Sequence, residues 1–442
     1  MEIKNKGLFA LTIPIFLELL LMTVVGNIDI LMVSRYSDTG VGVLGAMSQV
    51  MHTQNVIFSF ISIGTGILTA QYLGAKNIRK IDEVISVSLL LNLIMGVLLG
   101  AIYMVFSTFI LTKIKLTPDL VEIGKNYFKI VGGLGVFQAL TVTASASLRS
   151  YGYTKEPLYI NIVINLINVI GNGMFLFGWM GMPILGVTGV GIATVTARLV
   201  GMLITLYTLG KLCHYRYSWK KLLVIPRDVL GYMARIGVPS GMEHLSWNLA
   251  QVVILSMVNT MGTQVITART YLNLIASFMM MFSIALGHGT AILTGRYIGE
   301  KNLKKAHDQC IKSLKMSLVA VTLVSIVVLV FQNPILSYFT KDQEIIDICK
   351  KVLWLFLIIE PGRTFNIVII NSLHAAGDVK FPMIMGIIFM FGIAVSLSWF
   401  LVIQMGMALV GIWLANSADE WIRGLLMLWR WNSGKWKEKS FV

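Results

Sequence analysis

The sequence predicts an all-α integral membrane protein: twelve transmembrane helices in two six-helix bundles. Three observations carry this. The chain is too apolar for water, since 56% of its 442 residues are hydrophobic and 13% are charged, where a soluble domain has about 25% charged. About twelve apolar segments are long enough to cross a bilayer of ~30 Å, which takes ~20 residues each. Finally, the chain repeats. Residues 64–77, GTGILTAQYLGAKN, return 225 residues later as GTAILTGRYIGEKN, with nine of fourteen positions identical.

The same offset pairs Pro14 with Pro239, Glu18 with Glu243, and Met32-Val33 with Met257-Val258. It also pairs Leu148, Gly152 and Pro157 with Leu373, Gly377 and Pro382. A repeat of this length in an apolar chain points to a two-lobed carrier rather than a solenoid. Six helices per copy is even, so both copies enter from the same side. The lobes are then expected to be related by a pseudo-two-fold axis along the membrane normal, with the substrate cavity at their interface.

The apolar segments run 8–33, 44–72, 84–111, 121–148, 158–179 and 184–209, then 229–258, 263–297, 314–331, 345–373, 383–403 and 408–429. The expected organisation is an N-terminal lobe (1–210), a cytoplasmic linker (211–228) and a C-terminal lobe (229–442) ending in a basic tail. Net charge is +15, and the basic residues gather in short loops. About 23 Lys and Arg fall on the N-terminal side and about 4 on the other, which places both termini in the cytoplasm. The basic loops meet anionic lipid rather than nucleic acid, because no basic-aromatic cluster lies outside the spans. The linker stretch KLCHYRYSWKKLL suits a basic amphipathic surface helix. The N-terminus runs straight into a full-length span and lacks the cleavage site of a signal peptide. Cys213, Cys310 and Cys349 are scattered, with neither disulfide nor metal spacing.

An ionisable side chain inside the bilayer costs a few kcal/mol, so each is a functional candidate. On helix 1, Asp29 sits among apolar residues, where a carboxyl can switch between neutral and ionised forms. Asn168 and Asn172 on helix 5 are four residues apart and share a face, so their amides are placed to hold that carboxyl or a cation. Together these three form the expected cation-coupling site. Glu18 and Glu243 are repeat-equivalent, each four residues after a helix proline that permits a bend. Glu243 is the stronger of the two because His244 follows it and can exchange protons near neutral pH. On helix 10, Glu360 and Arg363 are three residues apart, close enough to pair. Glu243, His244, Glu360, Arg363 and Glu18 are the candidates for a substrate or second cation site. Arg198 and Arg269 are expected to neutralise carboxylates or snorkel. Asp419, Glu420 and Arg423 complete the buried charges. The repeated Gly-Thr-x-Ile-Leu-Thr segments bring helices close, and the Tyr-x-Gly-x-Lys-Asn after each is a helix end and turn. No cofactor or covalent chemistry is expected.

At these residues the chain resembles the multidrug and toxic compound extrusion (MATE) family, bacterial branch, over essentially its whole length. The resemblance rests on Pro14 with Asp29 and Met32-Val33, on Gln71-Tyr72-Leu73-Gly74-Ala75-Lys76-Asn77 and its second copy, and on Leu373 to Asp378 with Phe381-Pro382. It also rests on Gly411 to Ala415 and Asp419 to Gly424. It implies a twelve-helix antiporter exporting cationic or amphipathic small molecules against H⁺ or Na⁺, with roles for Asp29 and Asn168. Three departures stand out: Asn172 where a second Asp is frequent, Trp247 where Na⁺-coupled relatives carry Glu, and His374 where Arg is usual. With one carboxylate, H⁺ is favoured over Na⁺. A monomer is expected, since twelve helices contain a whole pathway.

Two other readings are weighed. A flippase for lipid-linked or other anionic precursors would use buried cations, here Arg198, Arg269 and Arg363. A membrane-embedded enzyme would need clustered metal ligands or a nucleophile motif, and neither HExxH nor GxSxG occurs.

Overall fold

The computed structural model describes residues 6–25, 28–113, 116–217 and 226–442. The described residues contain helices and no strands. Twelve long helical elements follow one another. They are α1 (Leu8–Val25 and Ile28–Ser34), α2 (Asp38–Gly74), α3 (Ile78–Lys113), α4 (Pro118–Gly133 and Val136–Ser150), α5 (Lys155–Phe177) and α6 (Gly186–Cys213). Then come α7 (Arg227–Val258), α8 (Thr263–Gly299), α9 (Leu303–Val330), α10 (Gln343–Leu353 and Phe356–Ala375), α11 (Lys380–Gln404) and α12 (Ala408–Asn432).

Among the described residues, nine helices meet a membrane-span test of length and hydropathy, and the bent α10 pair makes ten. The two left over are α7 and α12. Their sequences explain this: past Arg235, α7 carries Glu243, His244, Asn248 and Gln251, and α12 carries Asp419, Glu420 and Arg423. Several spans run longer than their apolar segments. For example, α2 starts at Asp38 and α9 at Leu303. Helical hydrogen bonding continues past the apolar stretch into charged residues that reach water.

The described residues divide into two compact units. One takes in residues 17–73 and 77–237; the other takes in 7–16, 74–76 and 238–442. The start of α7 joins the first unit through specific contacts. Lys80 Nζ lies 2.5 Å from Asp228 Oδ2, and Met233 covers Gly64 and accepts from Ser88. The start of α1 joins the second unit, where Thr12 and Leu8 cover Gly289 and Phe16 meets Phe282 edge-on.

The internal repeat is visible atom by atom. Lys76 and Lys301 are both left-handed, with φ of 55° and 59°. Asn77 and Asn302 then bond back to Tyr72 O and Tyr297 O at 3.0 and 2.8 Å. Each Asn side chain also caps the next helix, accepting from Lys80 N at 3.2 Å and Lys305 N at 3.1 Å. Gly152 and Gly377 share a φ of 88°, a conformation that favours glycine. α3 and α9 are also matched: each buries only 28% of its most apolar window, so most of that window faces outward.

The repeats differ where helices break. α4 breaks at Leu134-Gly135, and α10 breaks at Trp354-Leu355 with a bend of 56°. Shifted by the repeat offset, these breaks lie five residues apart. α11 contains two wide turns, Met390–Val395 and Phe400–Gln404. The expected continuous spans at 121–148 and 345–373 are therefore each two helical segments. Of the amphipathic stretch after α6, residues 211–213 end that helix and His214 turns left-handed. The rest of the stretch, from residue 218 to 223, lies outside the described residues.

Candidate functional site

In the first unit, Asp29 occupies the first turn of Ile28–Ser34 and is half-buried. Asn172 Nδ2 donates to Asp29 Oδ1 at 2.6 Å. The same amide lies 3.4 Å from Asn168 Oδ1, and Asn168 Nδ2 donates to Thr194 Oγ1 at 3.1 Å. Thr194 in turn donates to Val190 O at 2.8 Å. The chain of donors fixes which way each amide points, so Asn172 presents its NH₂ to the carboxylate. Asn168 acts through Asn172 and makes no direct hydrogen bond to Asp29. Arg198 and Tyr127 lie within electrostatic reach of Asp29. Asn172 is fully buried, and its Oδ1 has no hydrogen-bond partner. A protonated Asp29 gains a donor, whereas the ionised form only accepts. Adding or removing one proton therefore changes what this network can satisfy.

Glu18 has a different setting. Both its oxygens accept from Arg149 Nη1, at 3.0 and 3.1 Å, and Oε1 also accepts from Asn161 at 2.8 Å. Sequence reasoning left Glu18 open to a cavity, yet its hydrogen bonds are filled by two other helices of the same unit. That is the satisfied interhelical contact, and Glu18 is 6% exposed.

The second unit holds a larger charged cluster. Arg363 Nη1 bonds Glu360 Oε1 at 2.6 Å, as the three-residue spacing implies, and Arg363 Nε bonds Glu420 Oε1 at 3.4 Å. Arg363 also touches Met280 Sδ at 3.1 Å. Glu420 Oε2 accepts from Asn366 at 2.7 Å and from Arg423 at 3.0 Å, and Arg423 also bonds Asp419 at 3.0 Å. Three carboxylates thus face two arginines. Glu360 Oε2 and Asp419 Oδ1 are buried and make no hydrogen bond. Arg423 Nε, a donor of the same cluster, is likewise buried without a hydrogen bond, and the cluster holds one carboxylate more than it has arginines.

Glu243 meets His374 across 3.5 Å rather than depending on the adjacent His244. Arg423 and His244 lie within its electrostatic reach. Arg269, expected to neutralise a carboxylate or snorkel, is buried and donates to the neutral Gln251 Oε1 at 3.3 Å. Arg149, Asn161, Thr194 and Asn366 were not singled out from the sequence. Arg149 and His374 each follow Leu148 and Leu373, a pair that the repeat had already aligned.

The MatE family model matches residues 14–174 and again 239–400, two matches that begin 225 residues apart. The chain is 38% identical to "Uncharacterized transporter YisQ" of Bacillus subtilis (strain 168), over 99% of this chain and 96% of that one. It is 26% identical to "Probable multidrug resistance protein NorM" of Thermotoga maritima, covering 99% of this chain and 94% of the relative. The fold is similar to that of a MATE protein crystallised in a bent conformation, with a TM-score of 0.88, 19% identity and 96% and 95% of the two chains covered. An outward-facing multidrug resistance MATE transporter is equally similar, at 0.88, 19% identity, and coverage of 97% and 96%. With the whole chain matched in sequence and fold, this multi-pass membrane protein belongs to the MatE family, the multidrug and toxic compound extrusion transporters.

Proposed function

We propose that the chain is an H⁺-coupled antiporter that exports cationic or amphipathic small molecules by alternating access. The observation that carries the choice of ion is the single carboxylate of the first-unit site, held at 2.6 Å by a neutral amide. A Na⁺ ion prefers several oxygen ligands, while one carboxylate suffices for a proton. Protonation of Asp29 from outside releases the cargo outward, and its loss to the cytoplasm resets the carrier. Asn172 fixes the carboxylate directly, and Asn168 fixes Asn172. In the second unit, Glu243, His244, Glu360 and Arg363 offer a substrate or second cation site, because their carboxylates exceed their permanent cations. Glu18 acts as a structural partner of Arg149. The chain works as a monomer in the bacterial plasma membrane, with lobes 1–210 and 229–442, a surface linker at 211–228, and both termini in the cytoplasm.

The test is resistance in a drug-sensitive bacterial strain. Asp29→Asn keeps the shape and one acceptor oxygen but gains a donor and loses the titration. It is expected to abolish export while the protein still reaches the membrane. Resistance equal to wild type would overturn the assignment. A second reading, export of an anionic lipid-linked precursor, draws on Arg269, a buried cation with a neutral partner. Precursor accumulation in a deletion strain without loss of drug export would favour it.

A further inference from the structure

We propose that Glu243 is a proton-gated carboxylate: protonated His374 occupies it, and neutral His374 leaves it to a cationic group of the cargo. This rests on the reading of the chain as an exporter of cationic compounds.

The internal repeat exposes the device. In the first unit, Glu18 is closed by Arg149 at 3.0 and 3.1 Å and by Asn161 at 2.8 Å. A guanidinium is a permanent cation, so that triad stays shut. An offset of 225 places Glu243, His374 and Gly386 at the same three positions. The permanent cation has become an imidazole, a side chain that exists in both a charged and a neutral form. The amide donor has become a glycine. His374 Nε2 stands 3.5 Å from Glu243 Oε2 and makes no hydrogen bond. A Cβ built on Gly386 would have Glu243 Cγ at 3.6 Å, Met390 Cε at 3.7 Å and Glu243 Oε1 at 3.9 Å as its nearest neighbours. The position of the amide therefore holds no donor, and its nearest groups are one carboxylate and one thioether. Such a pairing suits an apolar cation, since the carboxylate takes the charge and soft sulfur takes the hydrocarbon.

Other charges lie around the pair, and just past His374 the carboxylate of Asp378 is held by Arg430 of α12 at 2.7 Å. On α7 the neighbour is His244, and on α12 it is Arg423, itself held by Asp419 and Glu420. α11 contributes Gly386 and no charge there. α8 and α9 also pack on α10, and toward the same end they carry His288, Arg296, His307 and Asp308. His374 is the basic group within 4.0 Å of Glu243 among the described residues.

The test is equilibrium binding of tetraphenylphosphonium to the purified full chain in detergent, at about pH 5.5 and about pH 8. Wild type is expected to bind roughly tenfold more tightly at the higher pH, a typical coupling between two ligands. His374→Arg should bind weakly at both values, and His374→Gln tightly at both. Adding Gly386→Asn to His374→Arg rebuilds the first-unit triad and should weaken binding further. If either His374 variant keeps the wild-type ratio between the two pH values, the gate is overturned while the exporter reading stands. If wild type binds at neither pH, both readings fail for this class of cation.

Discussion

The two halves of this chain began as one unit, and their polar interiors show where they parted. In the first, Glu18 is saturated by an arginine and an asparagine, and the titratable carboxyl is Asp29. In the second, the position of Asp29 is Ile254, fully buried in an apolar cluster. There the acids sit instead on α7, α10 and α12. The comparison teaches that duplication preserved turns and caps to within a few degrees, while the charged positions were free to diverge. Turn geometry is fixed by backbone sterics and cannot drift. A buried charge is tolerated wherever a partner can be found, so it can move between helices.

The largest difference expected between the halves lies in the repeated glutamates. Arg149→Leu leaves Glu18 buried without its cation, which costs about 3–5 kcal/mol. His374→Gln removes a longer contact, 3.5 Å with no hydrogen bond, and its effect should be smaller. Thermal unfolding midpoints in detergent measure both. Equal shifts would mean that the two pairs are equivalent, which would break the comparison.

Packing gives the next effect. A Cβ on Gly100 would come within 2.2 Å of Gly133 O, beside the break in α4. The repeat places Ser325 there in the second unit, buried and bonded to Val321 O at 2.8 Å. Gly100→Ser is expected to cost about 1–3 kcal/mol although the other half carries that serine. Unchanged stability would show that the displaced helix break does not set this contact.

Smaller again is the contrast within the amide relay. Asn172→Ala removes the direct donor to Asp29, whereas Asn168→Ala removes a group one step away. Export rate should fall more in the first variant, and an equal loss would argue that Asn168 touches the ion itself. At the bottom of the scale, Arg79 lies almost fully exposed beside Glu83. Arg79→Ala should change neither melting temperature nor export measurably.

Much of the fold was legible because the repeat is ungapped through the early helices. α2 and α8 span 38–74 and 263–299, offset by the same 225 residues seen in the sequence. Helix breaks were legible only in part. The break at Leu134-Gly135 did carry a local signal, since Gly132, Gly133 and Gly135 surround it, whereas Trp354-Leu355 contains neither proline nor glycine. The Asp29–Asn172 contact could be anticipated from an isolated carboxyl and two amides on one helix face. The Glu420–Asn366 and Glu243–His374 contacts could not be placed from local spacing, because in each the partner lies more than fifty residues away. The repeat did contain the clue to His374, one residue beyond an aligned leucine.

The measurement that bears most directly on proton coupling at Asp29 is transport in proteoliposomes. Uptake of a fluorescent organic cation into inside-out vesicles would be followed under an imposed ΔpH or ΔNa⁺, for wild type and Asp29→Asn. The expected result is uptake driven by ΔpH alone and lost in Asp29→Asn. Uptake driven by ΔNa⁺, or unchanged in Asp29→Asn, would contradict it and move the coupling site to the carboxylates of the second unit.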